Sequence, residues 1–109
     1  MEKFLFFSKD EGDMICIPAH RLVEMEIDGS TTELDIRFRL PANDTVGSNI
    51  QYPVLATINA NSGEKVMRSI SNAINSGKNP FVVVADIANK EFIDVDITNI
   101  SPLTGLQNS

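Results

Sequence analysis

The stretch Val23–Leu40, VEMEIDGSTTELDIRFRL, contains two runs of strict alternation separated by the turn-forming DGST at residues 28–31. Val23, Met25 and Ile27 share one side of the first run and Glu24, Glu26 and Asp28 the other. In the second, Leu34, Ile36, Phe38 and Leu40 oppose Glu33, Asp35, Arg37 and Arg39. A period of two places successive side chains on opposite faces of a pleated strand, so the stretch predicts a half-buried β-hairpin. Facing residues must keep the apolar side chains together, which leaves three registers, with Ile27 opposite Ser30, Thr32 or Leu34. The first sets Glu24 against Glu33, and the second sets two acidic pairs against each other. The third sets Glu24 against Arg37 with only Glu26 against Asp35 unfavourable, stacks Met25 on Ile36 and Val23 on Phe38, and places Arg39 opposite Leu22; charge favours it, although its turn is longer. Most of the hairpin's charge is then neutralised across the strands, and Arg39 stays available.

Outward from this hairpin, KFLFFS and DMICIP, joined by DEG, predict an opening hairpin closed by Pro18. Residues 41–53, PANDTVGSNIQYP, form the longest irregular segment, and VLATINA after it predicts a further short strand. NSG occurs at residues 61–63 and again at 75–77, bracketing EKVMRSISNAI. Asn61 or Ser62 can cap the free N–H groups of a helix and Glu64 complements its dipole. Gly77 can end it in the left-handed conformation, with Lys78 near the last carbonyls. Val66, Met67, Ile70, Ala73 and Ile74 form one apolar stripe along that helix. PFVVVADIA and EFIDVDITNI then predict a closing hairpin, with Val83, Ala85, Ile87, Ile93, Val95 and Ile97 inward by parity. Val82 and Val84 make the opposite face apolar as well, as does the run Phe4–Phe7. Strands apolar on both faces need cover on both, from the helix or from a second copy of the chain; open strand edges favour self-association, and Phe81, Val82 and Val84 are the expected interface.

A chain of 109 residues predicts one domain, here residues 1–101 with a frayed tail at 102–109. The N-terminal apolar run is too short for a signal peptide or a membrane span, so no membrane association and a cytoplasmic location are expected. The single cysteine, Cys16, lies in MICIP and reads as a buried structural thiol. A formal net charge of −6 opposes general attraction to phosphate backbones, so only a local basic patch could bind nucleic acid.

Chemistry-bearing residues are sparse. The one histidine, His20, has no nucleophile motif beside it, and no glycine-rich phosphate loop is present, so neither an enzyme nor a cofactor is expected. Asp86, Asp94 and Asp96 carry ligands suited to a hard cation, but alternating aspartates read first as a solvated sheet face, and no metal is expected. Lys65, Arg68 and Asn72 line the polar side of the helix. Tyr52 and the six phenylalanines could offer stacking surface, although the core claims most of them.

The order FLFF, MICIP, RLVEMEI, TTELDIRFRL, EKVMRSISNAI, FVVVADIA and FIDVDITNI resembles a family of small marine-phage proteins of cyanophage type, similar in fold to Sm-like proteins. The resemblance implies a mainly-β, small bent-sheet barrel with one helix between the fourth or fifth strand and the closing hairpin, and a ring-forming homo-oligomer in the cytoplasm of an infected cell. It also implies a role with nucleic acid, single-stranded RNA or DNA. Two departures stand out: Sm-like chains usually begin with a helix, and IANKEF stands where an Arg-Gly signature belongs. The leading expectation is a non-enzymatic nucleic-acid-binding module using Arg39, Arg37, Lys65 and Arg68, its weak contacts repeated around an oligomer. The alternative is a structural or adaptor protein of phage assembly that binds other proteins.

Overall fold

The hairpin at the centre of the sequence forms in the third register. In the computed structural model, which describes residues 2–27, 29–39 and 51–103, β3 (Leu22–Glu26) runs antiparallel to β4 (Glu33–Arg39), with Glu24 opposite Arg37, Met25 opposite Ile36 and Glu26 opposite Asp35. A register shift between Leu22 and Glu24 then sets Leu22 against Phe38. The expected pairs Val23–Phe38 and Leu22–Arg39 are lost to this irregularity, which leaves Val23 exposed.

Before this hairpin lie β1 (Phe4–Asp10) and β2 (Asp13–Pro18), and after it β5 (Gln51–Ile58), α1 (Gly63–Asn75), β6 (Phe81–Asp86), β7 (Glu91–Phe92) and β8 (Ile97–Ile100). The class is mainly β with one helix, which follows the fifth strand. The strands do not close into a barrel; among the described residues they form two four-stranded sheets, β2-β1-β6-β7 and β3-β4-β5-β8. The closing hairpin is divided between them because β7 stops after two residues and a turn at Val95 and Asp96 swings β8 into the second sheet. Val95 is therefore 82% exposed instead of inward.

β1 lies inside the first sheet, antiparallel to β2 and parallel to β6. The β1–β6 ladder shifts register between Phe6 and Phe7, and this shift changes the parity read from the sequence: Val82 and Val84 join Ala85 in the core, while Val83 is only partly buried. Leu5, Phe7 and Ile17 from the first sheet meet Leu34, Ile36, Phe38, Val54, Ala56 and Ile58 from the second. Residues 41–50 of the expected irregular segment lie outside the described residues, whereas residues 51–53 belong to β5. Pro53 is tolerated there because β8 flanks only Ala56–Ile58 of that strand.

The helix buries Val66 and Ile70. Its ends depart from the expected caps. Ser62 is the N-cap residue but makes no side-chain cap; its hydroxyl donates to the Asn59 carbonyl at 2.6 Å. Gly77 is not left-handed, since Gly29, Asn61 and Lys90 are the described residues of positive φ. A Cβ at Gly77 would instead stand 2.7 Å from the Ala73 carbonyl oxygen. The cation at the helix C-terminus is Lys3, whose ammonium donates to the carbonyls of Ala73 and Gly77.

Leu103, expected in a frayed tail, is fully buried, and its N–H donates to Asp13 Oδ2 at 3.0 Å. Asp13 Oδ1 is buried without a partner among the described residues. Residues 104–109 lie outside the described part of the chain.

Candidate docking face and the charged clusters around it

The four cations expected to contact phosphate divide sharply. Arg37, in the middle of β4, donates from Nη1 to Glu24 at 3.0 Å and lies 3.1 Å from Glu26, while Nη2 reaches Asp35 at 3.2 Å. Partial desolvation works against its charge, but Glu26, Asp35 and Glu24 together outweigh it and hold the guanidinium pKa above its ordinary value. Arg68 is paired with Glu64 one helical turn away, at 2.7 Å. Lys65 bridges Asp94 Oδ1 at 3.0 Å and Asp96 Oδ2 at 2.7 Å. Arg39, exposed at the end of β4, has no carboxylate partner among the described residues. Lys65 and Arg68 share one open groove of about 440 Å³ with Asn61, Glu64, Ser69 and Asn72, and in it each cation already faces an acid.

The three aspartates do not converge. No group of three or more His, Cys, Asp or Glu among the described residues has the arrangement of a metal site. Asp86 is buried against Asn89, which donates to it through both its backbone N–H and its side chain. Asp94, 6% exposed, accepts from Ser69 Oγ at 2.6 Å, from the Asp96 amide and from Lys65. Burial alone would raise its pKa, and these three donors, Ser69 foremost, reverse that and lower it. Asp96 is lowered by hydrogen bonds from Asn59 and Lys65, and Lys65 is raised by its bonds to Asp96 and Asp94. The cluster ties the helix to the turn before β8. His20, exposed, lies 3.0 Å from Glu2.

The outer side of the first sheet is of a different character. Across its ladders Phe4 stands between Pro18 and Phe81, and Phe6 between Cys16 and Val83. Alternation turns Leu5, Ile17 and Val82 into the core and leaves these residues, with Met14, on the opposite side. Phe81 is 45% exposed, Met14 39% and Phe4 38%. The rings of Phe6 and Phe81 lie 5.1 Å apart, tilted by 36°. Cys16 is thus exposed on an apolar sheet face and is not a core thiol; partial desolvation there raises its pKa. Of the expected interface residues Phe81 belongs to this face, whereas the side chains of Val82 and Val84 are held in the core. Phe4, Phe6, Met14 and Cys16 were not among the residues expected at an interface, although the run FLFF, apolar on both sides, carried the signal.

Around the edge of β6 the apolar surface continues into a groove of about 310 Å³ between that strand and the C-terminal end of α1. Ala73, Val83 and Ile93 line it, with Lys78 and Glu91 as its charges. No helix among the described residues is long and apolar enough to cross a membrane. Comparisons with protein-family models, with curated proteins and with solved structures find no match to this chain.

Proposed function

We propose that the protein is a non-enzymatic docking module, a structural or adaptor component that binds protein through the outer face of its first sheet. The observation that carries this reading is the continuous apolar surface of Phe4, Phe6, Met14, Cys16, Phe81 and Val83. Aromatic residues and methionine are enriched and charge is depleted at the centres of protein interfaces, which is the composition of this face. The resemblance to small phage proteins supports placing the role in phage assembly, in the cytoplasm of an infected cell.

A second reading, binding of single-stranded RNA or DNA, is favoured by Arg39, which has no acidic partner among the described residues, and by the exposed phenylalanine rings, which offer stacking surface. Arg37, Lys65 and Arg68 would each have to leave a carboxylate to join it.

Two measurements separate the readings. A photo-crosslinker attached through Cys16 should capture a discrete protein partner, and the capture should vanish in the double variant Phe4→Ser, Phe81→Ser with its circular dichroism unchanged. Capture indifferent to that variant overturns the docking reading. Anisotropy of labelled single strands should show no binding; binding that weakens with salt and with Arg39→Ala establishes the nucleic-acid reading in its place.

A further inference from the structure

The first sheet has a short length of open edge. Phe4 N–H donates to the Pro80 carbonyl at 2.8 Å, and Ile87 N–H to the Ser8 carbonyl at 2.9 Å, which fixes the side of β6 that faces β1. In a parallel ladder alternate residues bond to the same neighbour, so Phe81 and Val83 direct their main-chain groups away from β1. On that side β7 pairs only with Ala85 and Asp86, and Ile93 N–H reaches the Val84 carbonyl. Among the described residues no strand covers Phe81–Val83. The N–H of Phe81 is served by the Asn79 side chain at 2.9 Å, a local bond that a strand partner would replace.

We infer that two copies of the chain join along this edge, β6 against β6 in antiparallel array about a two-fold axis at Val82, with Lys78 of each copy beside Glu91 of the other. The inference goes beyond the docking reading: the second copy takes the strand edge, and the outer face stays free for another partner. The argument for a second copy is self-complementarity. Antiparallel pairing about Val82 sets Phe81 of one copy opposite Val83 of the other, twice, so the outward main-chain groups of each edge meet their counterparts, with the Phe81 N–H exchanging its Asn79 bond for one to the partner. In this register Lys78 comes level with Asp86 of the other copy, where Glu91 already pairs, so the segment before β6 leaves the sheet there and passes beside Glu91. Opposite charges therefore meet at both ends of a patch that is otherwise apolar, in a chain whose net charge of −6 would hold copies apart elsewhere. The product is one sheet running through both copies, with the two apolar outer faces side by side. Cys16, on the far strand β2, stays accessible.

Sedimentation and light scattering over a concentration series should give a reversible species of two chains. Val83→Pro removes one edge N–H without touching the β1 ladder and should abolish it. Lys78→Glu and Glu91→Lys should each weaken it about tenfold, and the two together should restore it. Cys16 should react with a thiol reagent equally fast in the dimer and in the Val83→Pro monomer. A monomer throughout, or a ring of more than two chains, overturns the inference. A dimer that ignores both charge reversals and buries Cys16 also overturns it, while leaving the docking face itself standing. Should Val83→Pro fail to fold, the surface charge exchange decides alone.

Discussion

Phe7 and Phe38 meet edge to face, ring centres 5.9 Å apart at 77°, and so join the inner side of the first sheet to that of the second. Both are fully buried. The contact lies in the one core shared by two sheets that, among the described residues, have no ladder in common.

Phe38→Ala should therefore cost roughly 3–5 kcal/mol, measured by urea unfolding, because the cavity opens where neither sheet can collapse without shifting the other. Phe38→Leu, which keeps most of the volume, should cost clearly less. Equal losses for the two variants would mean that the ring contact does not bridge the sheets.

Leu103→Ala should cost about 2–5 kcal/mol, the range for a fully buried leucine, although the residue lies close to the end of the chain. Ending the chain after Ser101 should be at least as harmful, since it also strips the Asp13 carboxylate of the backbone donor it holds. Thermal melting of both forms checks this.

The Lys65–Asp94–Asp96 cluster should add a stabilising contribution with a defined pH range. Both aspartates have folded-state pKa values below their unfolded ones, so their contribution is complete above the ordinary aspartate range and disappears as pH falls through the depressed values. Lys65, raised, contributes below the ordinary lysine range and loses that contribution as pH rises through its elevated value. Denaturant unfolding from acid to alkaline pH should show both slopes in the wild type. In Lys65→Met the alkaline slope should be gone and the acid slope diminished.

Gly77→Ala should destabilise the chain by about 1–3 kcal/mol, because the new Cβ would meet the Ala73 carbonyl oxygen at 2.7 Å. The usual expectation at a glycine of ordinary φ is the reverse, a gain of about 0.4–1 kcal/mol from a stiffer unfolded chain. The sign of the change in urea midpoint distinguishes the two.

Strand periodicity made the central hairpin legible down to its register, because Glu24 opposite Arg37 satisfies charge and Met25 opposite Ile36 satisfies burial, which together outweigh the acidic pair Glu26 and Asp35. The helix was legible from NSG punctuation, although the residues doing the capping were not: Lys3 arrives at its C-terminus from the far end of the sequence, and no local pattern announces that. Parity failed along the first half of β6 and at the turn before β8 for a common reason. The β1–β6 register shift between Phe6 and Phe7 puts Val82 and Val84 inside and Val83 outside while Ala85 stays inward as expected, and the turn at Val95 expels that residue alone, since Ile97 beyond it is buried as expected; both irregularities are products of pairing between distant strands. The docking face was half visible. FLFF announced two apolar sides, but which one faces out depends on β6 lying beside β1.

Phe4 bonds to Pro80 across a long stretch of sequence, and β1 lies inside a sheet whose other inner strand, β6, leaves the ribosome long after it. Contacts between residues so distant in sequence slow folding, since the loop entropy is lost before the pairing rewards it. While the chain is being made, the β1–β2 hairpin waits with its inner edge and both sides of FLFF uncovered. That interval is when the newborn protein is most exposed to aggregation, and when a chaperone or a completed copy of itself would have most to hold.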